Sequence, residues 1–245
     1  MCMVFSIIDA MTDGFDRTRE RNGLIFVAVF AVLAVVNALV APTNLGPAAE
    51  TAPAIGLVDV ATGLVSFAIT IATLVLAIVA LRTFASDERE IIPREFQRRN
   101  IGLATLNLFV GAIVFALAVA VGSIFLIVPG LFILVSLYYW SVFVAVEDQN
   151  FVEAFRSSWA LTRGSRLRLF GLGVAVVFLG FIVNVAVGVP AVLAGGVIGT
   201  TLVQIGGAVV TVYALATTAR AYDQLHTLEE PPEAEPRPGA AGTPA

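Results

Sequence analysis

The side chains able to do chemistry in this chain of 245 residues are few, and their types narrow what that chemistry is. Cys2 is the single cysteine and His226 the single histidine. An intramolecular disulfide and a cysteine-built metal site are therefore excluded, and His226 cannot by itself support a histidine-cluster metal site or a typical Ser-His-Asp triad. No G-x-x-x-x-G-K-[ST] loop, nucleophile elbow or spaced pair of metal ligands occurs, so no cofactor is expected. All fourteen basic residues are arginine. Four of them, Arg156, Arg163, Arg166 and Arg168, lie in one short stretch with Trp159. Guanidinium forks match phosphate and carboxylate oxygens, and a basic residue beside an anionic leaflet contributes ~1 kcal/mol. Contact with lipid headgroups is the binding chemistry this stretch suits. A membrane protein needs the same charges simply to orient itself.

Polar side chains inside apolar runs form a second group. Asn37, Asn107, Asn184 and Gln204 are amides set in stretches free of charge. Brought together, they would line a polar cavity for a small solute. Kept apart, they make interhelical hydrogen bonds of ~1 kcal/mol each, which is the reading favoured here. Asp59 borders an apolar run and is placed to cap a helix N-terminus. A proton or ion relay needs several ionisable groups within the spans, and the spans offer none beyond Asp59. No catalytic activity is expected.

The elements that position these groups follow from composition. The chain is 58% hydrophobic and 13% charged, against about 25% charged residues in a soluble domain. It cannot cover its own surface with solvated groups, so an all-α, multi-pass membrane protein is expected. Leu24–Ala41 and Val60–Leu81 are charge-free runs of spanning length. Ile101–Val146 runs 46 residues without charge; as one helix it would be roughly 69 Å long, so it must turn, and Pro129-Gly130 is the expected break. Leu169–Ala219 must turn likewise between Pro190 and Gly199. Six transmembrane helices result, at 24–41, 60–81, 101–128, 131–146, 169–189 and about 199–219, arranged as three hairpins.

Arginines set the orientation. Three precede the first helix, five lie in the second connection, four in the fourth and two after the last helix; the other connections have none. The positive-inside rule then predicts both termini in the cytoplasm of a cell-membrane protein. The first run is longer than a signal-peptide core and is expected to be retained. Residues 1–22 form a cytoplasmic amphipathic segment, with Phe5, Ile8, Met11 and Phe15 as a stripe that Gly14 interrupts. Residues 23–226 form the six-helix domain, and 227–245 an acidic, proline-rich tail expected to be disordered. Glycine-leucine pairs at 23–24, 102–103 and 171–172, followed by Pro42, Pro129 and Pro190, suggest a threefold repeat in which each odd helix ends at its proline. Ala112, Ala116 and Ala120 make a small-residue stripe suited to close helix packing, and Tyr138-Tyr139-Trp140 is expected in the core. Phe151, Phe155 and Trp159 recur every four residues, as in a short helix lying in the headgroup plane.

The stretch from Val128 to Leu172 carries a resemblance. Its Pro129-Gly130 turn, the helix that follows, the acidic pair Glu147-Asp148, the run EAFRSSWALTRG from Glu153 to Gly164 and the arginine-flanked helix after it resemble the membrane domain of some glycerophosphoryl diester phosphodiesterases. Stand-alone multi-pass membrane proteins of haloarchaeal type look similar. The resemblance implies a six-helix membrane domain of no established activity, and it carries no enzyme activity over, because the catalytic barrel of those phosphodiesterases has no counterpart here. The function expected is that of a non-enzymatic accessory or organising protein contacting lipid headgroups, with a small-solute transporter or channel as the alternative. Membrane lipids and a membrane-protein partner are the partners implied. Nucleic acid is not, given the net charge of −4.

Overall fold

In a computed structural model, the chain is described for residues 5–40, 56–86, 92–125 and 127–229. Ten helices and no strand occur among the described residues. In order they are α1 (Ile7–Arg19), α2 (Arg21–Val40), α3 (Leu57–Ala85), α4 (Arg94–Arg98), α5 (Ile101–Phe125), α6 (Ile127–Leu137), α7 (Trp140–Val146), α8 (Phe151–Leu161), α9 (Arg166–Ala194) and α10 (Gly196–Glu229). Six segments are long and apolar enough to cross a membrane: α2, α3, α5, the α6–α7 pair, α9 and α10. Their outer faces carry rows of exposed Val, Leu, Ile and Phe, a surface stable in lipid and prone to aggregate in water.

Local chemistry sets the ends. The Ser6 hydroxyl caps α1 by accepting the Asp9 amide at 3.3 Å. The Asp59 carboxylate accepts the Gly56 amide at 2.9 Å at the start of α3, which is the capping role its position implied. Between α9 and α10 the chain reverses at Gly195 and Gly196, with φ of 61° and 51°; only glycine adopts that backbone in succession without strain. Pro190 lies inside α9, which runs on to Ala194 instead of ending at the proline. Proline inside a membrane helix is tolerated because neighbouring groups satisfy the carbonyl it frees. Pro129 and Gly130, the expected break, fall instead in the first turn of α6, after the observed end of α5 at Phe125. Proline suits a first turn, where its missing N–H has no partner to lose. The rule that odd helices end at prolines therefore fails at the second and third positions, and Pro42 lies outside the described residues. So does the tail from residue 230; before it, α10 continues to Glu229.

The last helix organises the others. At 34 residues α10 is the longest, roughly 51 Å by helical rise, and it packs against α1, α2, α3, α7 and α9. A Cβ on Gly14 would collide with Thr217 of α10, its nearest backbone neighbour there being the Thr217 Cα at 2.8 Å. Gly14 thus marks the point where α1 crosses α10 at close range. The buried face of α1 is Ala10, Gly14, Arg17 and Thr18, while Ile8 and Phe15 project outward. The Ala112, Ala116, Ala120 stripe also faces outward. Close packing of α5 occurs instead at Gly111, which abuts the Trp140 ring, and at Gly122, whose added Cβ would lie 3.1 Å from Gly130 Cα. Small residues permit close approach, but which of them are used depends on where a bulky partner stands.

Candidate functional site

The fourth span is broken where it meets α8. Tyr138 and Tyr139 form a turn between α6 and α7, and the break frees backbone groups that lipid could not satisfy. Side chains of α8 take them up. Ser158 Oγ accepts the Tyr139 amide at 3.1 Å and donates to Ser136 O at 3.1 Å. Thr162 Oγ1 donates to the same carbonyl at 3.2 Å. Ala154, Ser158 and Leu161 are accordingly the buried face of α8. The aromatics flank it: Phe155 meets Trp140 edge-on at 5.4 Å, and Trp159 meets Phe132 at 5.4 Å. The helix is amphipathic, as expected, but its inner face covers the broken span alongside it. Tyr139 and Trp140 are buried, and Tyr138 bonds Thr218 of α10 through its hydroxyl at 3.1 Å.

An acidic pair joins the helix ends below the break. Asp148 Oδ1 accepts from Arg82 Nη2 at 2.7 Å, and Asp148 Oδ2 pairs with Arg99 Nε at 2.6 Å. Arg82 is buried and also donates to the carbonyls of Ala145, Phe96 and Arg99. One guanidinium therefore ties α3, the α4 connection and the end of α7 together. Glu147 accepts from the Tyr222 hydroxyl of α10, and His226 approaches it at 3.7 Å. Arg17, also buried, donates to Ser86 O at 2.6 Å and fastens α1 to the end of α3. Sequence reasoning noted the Glu147-Asp148 pair and counted Arg82 for orientation, but missed that Arg82 and Asp148 pair. The available signal was that Arg82 directly follows an apolar run long enough to continue as helix past it.

The five residues expected to contact headgroups differ in state. Arg156, Arg163 and Arg168 are exposed, and none makes a hydrogen bond or ion pair among the described residues. Arg166, the first residue of α9, lies against two rings, 4.6 Å from the Phe132 centroid and 4.5 Å from that of Trp159. Such stacking contributes about 0.5–2 kcal/mol per contact. Its Nε and Nη2 are buried with no partner. Ser165, at the N-cap of α9, provides no side-chain cap.

The four amides are dispersed. Asn107 serves α8: its Oδ1 accepts the Phe151 amide at 3.4 Å, while its Nδ2 donates to Leu103 O at 3.0 Å. Asn150 caps the next two amides of that helix. Asn184 donates to Gly180 O one turn back on its own helix at 3.0 Å. Asn37 and Gln204 do share a cleft between α2, α3 and α10, of about 410 Å³, with Thr70, Thr73 and Thr211. Asn37 Oδ1 has no partner there.

A second cavity, of about 530 Å³ and almost wholly apolar, opens between α6 and α9. Leu131, Leu134 and Tyr138 form one wall and Phe170, Val174 and Val177 the other, with Thr217 and Thr218 of α10 behind. Among the described residues no group of three or more His, Cys, Asp or Glu is placed to hold a metal ion.

The family model described as "Domain of unknown function (DUF7847)" matches residues 5–225. No curated protein and no solved structure matches the chain.

Proposed function

The chain belongs to the DUF7847 family, and from that premise we propose that it is a non-enzymatic membrane protein that organises its surroundings by contacting anionic lipid headgroups. In this reading it resides in the cell membrane, with both termini and every arginine on the cytoplasmic side. The likeness of residues 128–172 to the membrane domain of glycerophosphoryl diester phosphodiesterases belongs to the same proposal. The observation that carries it is the division of labour among the arginines. Arg82, Arg17, Arg99 and Arg220 are bonded to carboxylates or carbonyls of the protein. Arg156, Arg163 and Arg168 are exposed beside Trp159 and hold nothing in place. Charges not used by the fold, at the end of an apolar bundle, suit an anionic leaflet. The test is the lipid co-purified from membranes of mixed composition. The triple variant Arg156→Gln, Arg163→Gln, Arg168→Gln is expected to lose anionic-lipid enrichment while keeping its melting temperature. Unchanged enrichment would overturn the reading.

A second reading, passage of a small polar solute, is favoured by the cleft that Asn37 shares with Gln204, Thr70, Thr73 and Thr211. Solute flux into proteoliposomes that Asn37→Leu abolishes would establish it. No flux above that of empty vesicles would remove it.

A further inference from the structure

Arg166 differs from its neighbours because its surroundings have already taken two of its three side-chain nitrogens out of water. The two rings, 5.4 Å apart and edge to face, lie against the guanidinium from one side, and Nε and Nη2 are buried without partners. Nη1 is the nitrogen left to reach the exterior. A guanidinium stays charged at any accessible pH, and buried donors are ordinarily satisfied, so an orphaned pair calls for an explanation. A charge already stripped of part of its hydration loses little more on meeting an anion, and attracts it through a poorly screening medium. The first turn of α9 adds backbone N–H groups that no side chain caps. Directly beyond, one turn along the same helix, Leu169 and Phe170 begin the apolar cavity between α6 and α9. Phe132, the ring beneath Arg166, is the chain neighbour of Leu131 in the opposite wall. Arg166 thus stands one helical turn before the apolar trough, and its ring partner Phe132 one residue from the opposite wall.

We propose that this is a discrete site for one anionic phospholipid, its phosphate on Arg166 and one hydrocarbon chain in the trough between α6 and α9. The proposal rests on the reading of the protein as a lipid-contacting one, but makes a separate claim: a stoichiometric ligand instead of a diffuse enrichment. The trough is open on the outward side, where Val174, Val177 and Phe178 are exposed, so a lipid enters laterally from the bilayer. Charge selects the occupant. An apolar peptide or a second copy of the chain would fill the trough and leave the guanidinium unpaired, whereas a phospholipid meets both requirements.

Native mass spectrometry of the protein in mild detergent tests this, with dioleoyl phosphatidylglycerol, dioleoyl phosphatidylcholine and inorganic phosphate as probes. One phosphatidylglycerol per chain is expected, bound about tenfold or more tighter than phosphatidylcholine. Inorganic phosphate at equal concentration is expected not to compete. Arg166→Gln should bring phosphatidylglycerol down to the affinity of phosphatidylcholine. Because that change also unstacks two rings, Gly173→Phe provides an independent arm. Gly173 lines the trough with nothing within 4 Å of an added Cβ, so the ring fills the trough without touching Arg166, and both lipids should be lost. The Arg156, Arg163, Arg168 triple variant should keep the single bound lipid. If it does so while its general anionic-lipid enrichment is unchanged, the broader reading fails and the site stands. If enrichment falls but Arg166→Gln and Gly173→Phe still carry one phosphatidylglycerol, the site is overturned. Equal affinity for the two lipids, competition by phosphate, or dimers that persist in place of lipid would overturn it as well.

Discussion

Arg82 and Arg156 have the same side chain, yet their removal should have opposite consequences. Arg82 is buried with its donors on three carbonyls and the Asp148 carboxylate. Arg82→Met leaves several carbonyls without their donor and Asp148 with Arg99 alone, and a loss of about 3–5 kcal/mol is expected in reversible unfolding from detergent micelles. Arg156→Met should change stability by less than about 0.5 kcal/mol, as exposed substitutions do. A result in which both cost the same would show that Arg82 does not join the helix ends. The hydroxyls of α8 make a second residue-level case. Ser158→Ala with Thr162→Val orphans Ser136 O and the Tyr139 amide, at about 1–3 kcal/mol per buried group. The same unfolding measurement should record that loss, with thermal melting as a check.

At the scale of elements, glycine placement decides which helices meet. Gly14 reads in the sequence as an interruption of an apolar stripe; in the fold it is the crossing point of α1 on α10. Gly14→Ala is therefore expected to lift α1 from the bundle and expose residues 7–19 to limited proteolysis. Gly63→Ala, where nothing lies within 4 Å of the new Cβ, should leave the cleavage pattern unchanged. The helix α8 teaches the same lesson from the other side. Its 3.6-residue aromatic period and its Asn150 cap were legible, because period and cap are properties of a single helix. Its covering of a broken span was not legible, because the carbonyl it satisfies lies more than twenty residues earlier in the chain.

For the whole molecule, the connections carry a test of orientation. In a Cys2→Ser background, Gly46→Cys, Val128→Cys and Ile198→Cys are expected to react with an impermeant maleimide added outside intact cells. Val128 is the demanding position. Phe132, near the start of the fourth span, touches Arg166 at the start of the fifth, whereas upright antiparallel spans would set those two ends far apart. Contact between them requires α6 either to slant toward the first turns of α9 or to turn back before crossing. Labelling of Val128 from the inner side alone would make α5 and α6 a re-entrant pair. The sequence by itself determined that the chain is helical and apolar enough to span six times, where its charges collect, and that its spans hold almost no ionisable groups. Those properties follow from composition and local period. Only the tertiary structure decided which arginines are used to hold helix ends and which remain available. It also separated the four amides except Asn37 and Gln204, which share a cleft, and it placed a guanidinium with two unpartnered nitrogens one helical turn before an apolar trough. The physical reason is that a hydrogen-bond donor's fate depends on the acceptors within about 3 Å of it, and packing brings those acceptors from distant parts of the chain.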